Sequence, residues 1–490
     1  MFTMKIVLLT LLQLFVFTRC ENEPKIIIIG AGPAGIAAAS KLYQNNITNV
    51  KILEAENRIG GRIHSVKFGD AIVDLGAEWY SGGDDTDVYE TIKESNLTEP
   101  TCFTQIFYHS SGKRIDHGII TELLNIFEEI QQVAVEAKEG VTVEDHIKEK
   151  YSAKIRERYK DNSEMLEFAS DFLEVIRKEV TILHGAFSWG DVSAKSDHEE
   201  PAENNWLNWK GRGFKTILDV LMQNCPDPSK ELPLEIILNK EVKIITWDDD
   251  EVTVECFDGS SYKADHVIVT VSLGVLKNRY QTLFNPELPE NKKNAIEELG
   301  IAAVAKIFFY FPTRWWLQAD LKSIGLFWTE LDQVEFLQQF GTDKHWLLDL
   351  PIFYPVTNNP SVLEAFLGGK SVPQIELLSD DEIIDGIMLV LNKFVGNEFK
   401  NITKPTEILR YNWYSNPHFR GTYSYQTIQS RRRKVSAETA LSEPLTGKNR
   451  KMTLLFAGEA TNPTHYGSVY GALETGYREA QRLLDIYKTV

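Results

Sequence analysis

The stretch Gly30-Ala31-Gly32-Pro33-Ala34-Gly35 sets glycines where a chain can turn sharply and bring its backbone against a bulky anion. The β-branched run 25–29 leads into it and predicts a buried parallel strand. An Ala-rich stretch over 33–44 predicts a helix, opened by Pro33 in the first turn, where a missing N–H costs nothing. A second strand is expected over 50–53, ending at Glu54. Each part has a task. Gly30 permits the turn, Gly32 lets backbone approach a pyrophosphate, and Gly35 packs helix on strand. The helix N-terminus faces the anion, and Glu54 would accept hydrogen bonds from ribose hydroxyls. The unit predicts a dinucleotide site.

Further along, Gly60-Gly61-Arg62 again allows close backbone approach and brings a fixed positive fork to a phosphate. Near the other end, 454–460 reads as a strand running into Gly458-Glu459, followed by 466–472 and a helix to about residue 484. Such a unit can close over the far end of a long cofactor, and FAD has that end in its ribityl chain and isoalloxazine. Lys306 stands alone among apolar residues in the predicted strand 303–311. It is either an edge-strand lysine pointing to water or a buried one with a partner. The aromatic-rich stretches 411–414 and 420–425 fit either core or a cofactor wall.

These groups need a large scaffold. The chain has 490 residues of ordinary globular composition, enough for two to four domains or two large interleaved ones. The region 110–180 is mostly helical and charged, and short strands are expected at 241–247, 251–257 and 266–271. A net charge of −18 repels nucleic acid and anionic membrane and attracts cations. Residues 1–20 read as a cleaved secretory signal, with an uncleaved membrane anchor as the alternative, because the apolar run 6–17 has the size of a signal core and is short for a bilayer span. Its cleavage leaves Cys102, Cys225 and Cys256, one disulfide at most, so the core must stabilise the fold. No Cys-x-x-Cys or His-Glu-x-x-His pattern occurs, and no metal site is expected. Asn46, Asn96 and Asn401 open glycosylation acceptor triplets, and 431–434 reads as a solvated basic face. His64, just after Arg62, reads as a structural histidine.

Taken together, the segments 26–83, 303–316 and 456–484 resemble the flavin-containing amine oxidases, most closely the polyamine oxidase branch, which acts on spermine or acetylpolyamines. The resemblance implies an α/β fold: a glutathione-reductase-like FAD-binding Rossmann domain (21–105, 206–285 and 445–490) interleaved with an α+β substrate-binding domain (106–205 and 286–444). It implies that FAD is held by Gly30, Gly32, Ala34, Gly35, Glu54, Arg62, Ala77, Glu78, Val242, Trp413, Glu459, Gly467, Ser468 and Val469. Lys306 aligns with a lysine linked through a water to flavin N5, and Tyr423 with an aromatic beside the substrate amine. Thr422 stands where monoamine oxidases carry the cysteine that bonds the flavin, so non-covalent FAD is expected. Ser468 takes a wall position that is tyrosine in the monoamine oxidases. Ser81 departs from the His or acid that usually meets a substrate nitrogen, and a serine cannot offset an ammonium charge. The implied reaction is hydride transfer from a cationic amine to flavin N5 with O2 as acceptor, giving an aldehyde, a smaller amine and H2O2. Two alternatives stay open: an oxidase of a monoamine or L-amino acid, and a secreted flavin-binding protein that has lost turnover.

Overall fold

The computed structural model describes residues 23–80, 87–101, 105–132, 137–199, 206–316, 323–356, 359 and 361–488. The leader 1–20, Ser81 and Cys102 lie outside them. The opening elements fall where the sequence places them. Strand Ile26–Ile29 runs into helix Pro33–Gln44, and strand Val50–Leu53 follows. The first strand is all isoleucine and wholly buried, as a central strand of a covered parallel sheet must be.

That sheet has six strands in the order Leu445–Thr446, Met452–Phe456, His266–Val269, Ile26–Ile29, Val50–Leu53 and Glu235–Ile237. All neighbours pair in parallel except the edge strand Leu445–Thr446. One face packs on helices Pro33–Gln44 and Val469–Lys488 through Ala34, Ala38, Leu42, Ala480 and Leu483. On the other face lies a smaller four-stranded sheet, whose Val242, Ile245, Val252 and Val254 join Ile27, Val267 and Phe456 in a second core. This small sheet contains a strand, Ser261–Ala264, that the sequence reading did not separate.

A second six-stranded sheet runs Glu407–Arg410, Val304–Tyr310, Val362–Gly368, Ile352–Pro355, Ser323–Phe327 and Gln105–His109. Its pairs are antiparallel except the last, between Ser323–Phe327 and Gln105–His109. The helices His117–Gln132, Val143–Arg158 and Ser163–Leu183 contribute a core with Phe107 and Phe327. Ile307, Phe309, Ile324 and Leu326 pack into another core with helix Asp380–Val395. Strand alternation turns Lys306 and Phe308 the other way. There Phe308 meets Phe68 and Val73 of the hairpin 65–74 and Leu75 just after it, which tethers the chain leaving the nucleotide strands to the second sheet. Among the described residues, no helix is long and apolar enough to cross a membrane.

Candidate active site

The first strand leads into a turn whose Gly30 has φ +109°, a conformation that L side chains rarely adopt. A Cβ on Gly35 would stand 2.0 Å from the Gly30 carbonyl oxygen, so helix and strand can pack this closely only with glycine there. At Gly32 a Cβ would meet only Gly61 Cα, at 3.9 Å, and the turn is otherwise open. The helix starting at Pro33 has no capping side chain, so its first amides keep capacity for an anion. Glu54 is buried at the end of the second strand, where its carboxylate accepts from the amides of Ala31 at 2.7 Å and Glu56 at 2.8 Å. Burial pushes its pKa up, and those two amide bonds pull the other way.

From this turn a cavity of about 810 Å³ runs through the molecule to Lys306, Tyr354 and Tyr423. Its volume lies in the upper part of the roughly 300–1,000 Å³ range usual for ligand and cofactor sites. Gly30, Gly32, Ala34, Glu54, Arg62, Ala77, Glu78, Val242, Trp413, Glu459, Gly467, Ser468 and Val469 all line it. Gly35 does not, and its part is the helix packing just described. An open glycine turn, an uncapped helix end, a buried acid at the strand end and a long cavity beyond them fit FAD.

Arg62 and Glu459 clasp the middle of the cavity. The Arg62 guanidinium donates to Glu459 Oε1 at 2.8 Å and to the Thr422 carbonyl at 2.6 Å. The other Glu459 oxygen accepts from the Ser424 hydroxyl and from the Gly467 amide, the latter at 2.9 Å. One acid thus ties together the Gly60-Gly61-Arg62 turn, the 422–424 segment and the loop before the last helix. Ser468 caps that helix region: its hydroxyl donates to the His465 carbonyl at 2.7 Å and accepts from the Gly471 amide at 3.0 Å. The buried Trp413 indole donates to the Leu75 carbonyl at 2.9 Å.

Lys306 does not point to water. Its strand is interior to the second sheet, and the residue is 5% exposed. The ammonium donates to Glu78, pairs with Glu364 Oε1 at 3.3 Å, and lies 4.9 Å from the centre of the Trp79 ring. Lys306 stands opposite Phe366 and Phe308 opposite Glu364, so the ion pair is a diagonal one on one face of two neighbouring strands. Burial alone would drive the lysine pKa down. The charges of Glu364 and Glu78, together with the Glu78 hydrogen bond, more than reverse this and hold it above the usual lysine range. Glu364 is pushed up by burial and by the charge of Glu78. Nearby Asp74, pushed up to about 7 chiefly by burial, accepts from the Phe214 amide at 3.0 Å and from the Ser65 hydroxyl.

Tyr423 lines the same end of the cavity, and its hydroxyl donates to the Ile182 carbonyl at the end of helix Ser163–Leu183. Its ring is what it offers the cavity. The Thr422 hydroxyl accepts from the Val304 amide at 3.3 Å. His64 lies outside the cavity lining, edge-on to Tyr411 at 5.0 Å, and burial lowers its pKa to about 4. In the basic run 431–434, Arg431 pairs with Asp197 and Arg433 with Glu298.

Glu364, Asp74, Trp79, Tyr354 and Glu179 escaped the sequence reading as site residues. Glu364 carried a usable signal, an acid inside the apolar run 362–368, matching the lone lysine of 303–311.

The chain matches the family model for flavin containing amine oxidoreductases over residues 33–484. It is 30% identical to probable polyamine oxidase 5 of Arabidopsis thaliana, over 95% of this chain and 99% of that protein. It is 28% identical to the peroxisomal N(1)-acetyl-spermine/spermidine oxidase of Homo sapiens, over 96% of each chain. With the lysine-specific histone demethylase 1B of Mus musculus it shares 27% identity, over 94% of this chain and 53% of that protein. The chain belongs to the flavin-containing amine oxidoreductase family. Within that class it is an FAD-dependent amine oxidase.

Proposed function

We propose that the chain is a secreted oxidase of polyamines (spermine, spermidine or their acetylated forms) that binds FAD without a covalent bond. The observation that carries this is Lys306, a buried, ion-paired ammonium at the far end of a cavity that begins at the dinucleotide turn. The names of the relatives point to polyamines, and the acidic chain suits a cationic substrate. Among the described residues, the cavity-lining arginines, Arg62 and Arg279, are engaged by Glu459 and Glu241. No free guanidinium is left there for an amino-acid carboxylate, which favours an amine over an L-amino acid.

When bound, FAD supplies a two-electron acceptor at N5 for the hydride on the carbon beside the amine nitrogen. The protein does the rest. Walls formed by Trp79, Tyr354, Phe366 and Tyr423 exclude water and favour the neutral amine, whose lone pair must be free. The Tyr423 ring would orient the amine, and Lys306 would supply a hydrogen bond to a water beside the bound flavin. Oxygen is the final acceptor and leaves as hydrogen peroxide, while water releases an aldehyde and a smaller amine. Thr422 has no sulfur for a thioether, so the cofactor stays dissociable.

We assign the first sheet, with 21–105, 206–285 and 445–490, to a glutathione-reductase-like FAD domain. Residues 106–205 and 286–444 form the substrate domain. The apolar leader 6–17 supports secretion, and the exposed Asn46, Asn96 and Asn401 support glycosylation. The test uses purified holoenzyme. Spermine, spermidine or an acetylated form should bleach the flavin without air and release peroxide when air returns, and acid precipitation should leave all flavin in the supernatant. Peroxide from monoamines alone would overturn the substrate class. A flavin that no amine bleaches would leave a binding protein that has lost turnover.

A further inference from the structure

Glu364 lies inside strand Val362–Gly368, with Phe308 opposite it on one neighbouring strand and Tyr354 on the other. It is 1% exposed and stays out of the cavity lining, set behind the wall. The fold does not need an acid there, since an apolar side chain of the same volume would pack at lower cost. What the acid meets is the Lys306 site. Its Oε1 stands 3.3 Å from the Lys306 ammonium, and its carboxyl hydrogen-bonds the carboxyl of Glu78. Glu78, unlike Glu364, lines the cavity and accepts a hydrogen bond from Lys306.

Two carboxyl groups in such contact need a proton between them, because buried like charges at that range cannot both persist. Lys306 answers one negative charge. It donates to Glu78, whereas Glu364 Oε1 accepts no hydrogen bond among the described residues. The arrangement is therefore an ammonium at Lys306, a carboxylate at Glu78 and a protonated acid at Glu364, which sums to zero. Burial and the charge of Glu78 hold the proton on Glu364 above the usual carboxylate range, against the pull of Lys306. The other titratable groups facing the cluster are Asp74 from the hairpin, Tyr354, and Glu179 from helix Ser163–Leu183. Burial pushes Asp74 and Glu179 up to about 7, and it holds the Tyr354 hydroxyl well above the usual phenol range, so the tyrosine keeps its proton.

We propose that Glu364 is a positioning residue for Lys306 whose proton is coupled to flavin reduction: protonated, it leaves the Glu78–Lys306–Glu364 cluster neutral, and without its proton the cluster sets a negative charge beside the flavin. This rests on the amine-oxidase reading, which places the flavin against Lys306, and adds to it the residue that sets the charge there. An electron pair on the flavin strengthens the hold of a neighbouring acid on its proton. Where the resting cluster has lost that proton, reduction draws one back from water through Glu78, whose carboxyl reaches the cavity. The electrons stay on the flavin, and the proton settles between Glu364 and Glu78.

The test is a dithionite titration of the holoenzyme against reference dyes, which needs no amine. It compares wild type, Glu364→Gln and Glu364→Asp from about pH 5 to about pH 10. Wild type should show a break on the alkaline side of the ordinary glutamate value of about 4.3, above which reduction takes up one more proton per electron pair. Glutamine imitates the protonated acid, so Glu364→Gln should match the wild-type potential below the break and lack the break itself. Above it the variant's flavin should be easier to reduce, by up to about tenfold in the reduction equilibrium for each pH unit. Glu364→Asp should keep the break. A wild type without a break overturns the proposal. So does a break that survives Glu364→Gln, which would belong to Asp74 or Glu179, and so does a potential shifted equally at every pH, which would make Glu364 structural. Amines then test the underlying reading separately. A break that Glu364→Gln removes, in a flavin that no amine bleaches, keeps the proposal and sinks the oxidase reading. Bleaching by amines with no break does the reverse.

Discussion

A lysine in an apolar strand is legible as an anomaly, but its meaning depends on register. Lys306 and Glu364 lie far apart in the chain and meet because strands Val304–Tyr310 and Val362–Gly368 pair with Lys306 opposite Phe366. Nothing local to 303–311 shows that pairing, which is why both an exposed and a buried lysine fit the sequence. The resemblance to a family chose between them, whereas Gly30, Gly32, Gly35, Glu54 and Arg62 at the nucleotide end were legible from the strand, glycine turn, helix and acid in their spacing. It could not name Glu364, Asp74 or Glu179, because these acids become site residues only through tertiary contacts and burial. Replacing Lys306 with methionine keeps the stem and removes the charge. Lys306→Met should retain flavin, because the nucleotide end is untouched, while anaerobic reduction by substrate slows by roughly 100- to 1,000-fold, the usual effect of losing one preorganised donor. Stopped-flow absorbance checks this, and an unchanged rate would remove Lys306 from the chemistry.

Elements with a strong pattern were easy to read. The helix expected at 33–44 is Pro33–Gln44, and the strand expected at 50–53 is Val50–Leu53. The strand Ser261–Ala264 was harder, because it is only four residues long and its adjacent Tyr262 and Lys263, between Ser261 and Ala264, make no apolar alternation. Its place comes from backbone pairing with Val252–Cys256 and from Ala264 and Tyr262, which join the core beneath that sheet. The last helix is docked by His266, buried in the first sheet, whose Nδ1 meets the Met452 carbonyl at 2.5 Å and whose Nε2 meets the Tyr487 hydroxyl at 2.6 Å. Burial lowers its pKa from 6.5 to about 4, with the Met452 carbonyl pulling the other way. The folded state therefore binds fewer protons than the unfolded state between those values. The stabilisation is complete above about pH 6.5 and is lost as pH falls toward 4, to a total of about 3 kcal/mol. Urea unfolding at pH 7.5 and pH 4.5 should show that difference in wild type and a smaller one in His266→Gln. Equal pH slopes would refute it.

At the scale of the whole molecule, the cavity is walled by segments from both sheets and both ends of the chain, as the Arg62–Glu459 and Lys306–Glu78 pairs illustrate. A ligand that fills it binds only the assembled fold. Stripping FAD should lower Tm, and adding it back should raise Tm with concentration, reaching about 2.7 kcal/mol of stabilisation at a hundredfold excess over Kd. Differential scanning fluorimetry across an FAD series measures this, and a Tm independent of FAD would contradict the assignment of the cavity. The strand order of the first sheet also sets a timetable for biosynthesis. Strand Ile26–Ile29 leaves the ribosome early, its neighbour His266–Val269 emerges midway, and Met452–Phe456 with the covering helix Val469–Lys488 comes late. Until then the nascent polypeptide carries isoleucine-rich edges with nothing to cover them, the surface on which misassembly starts. Translation stalled between residues 270 and 450 yields a product that chaperones must shield and the coenzyme cannot rescue.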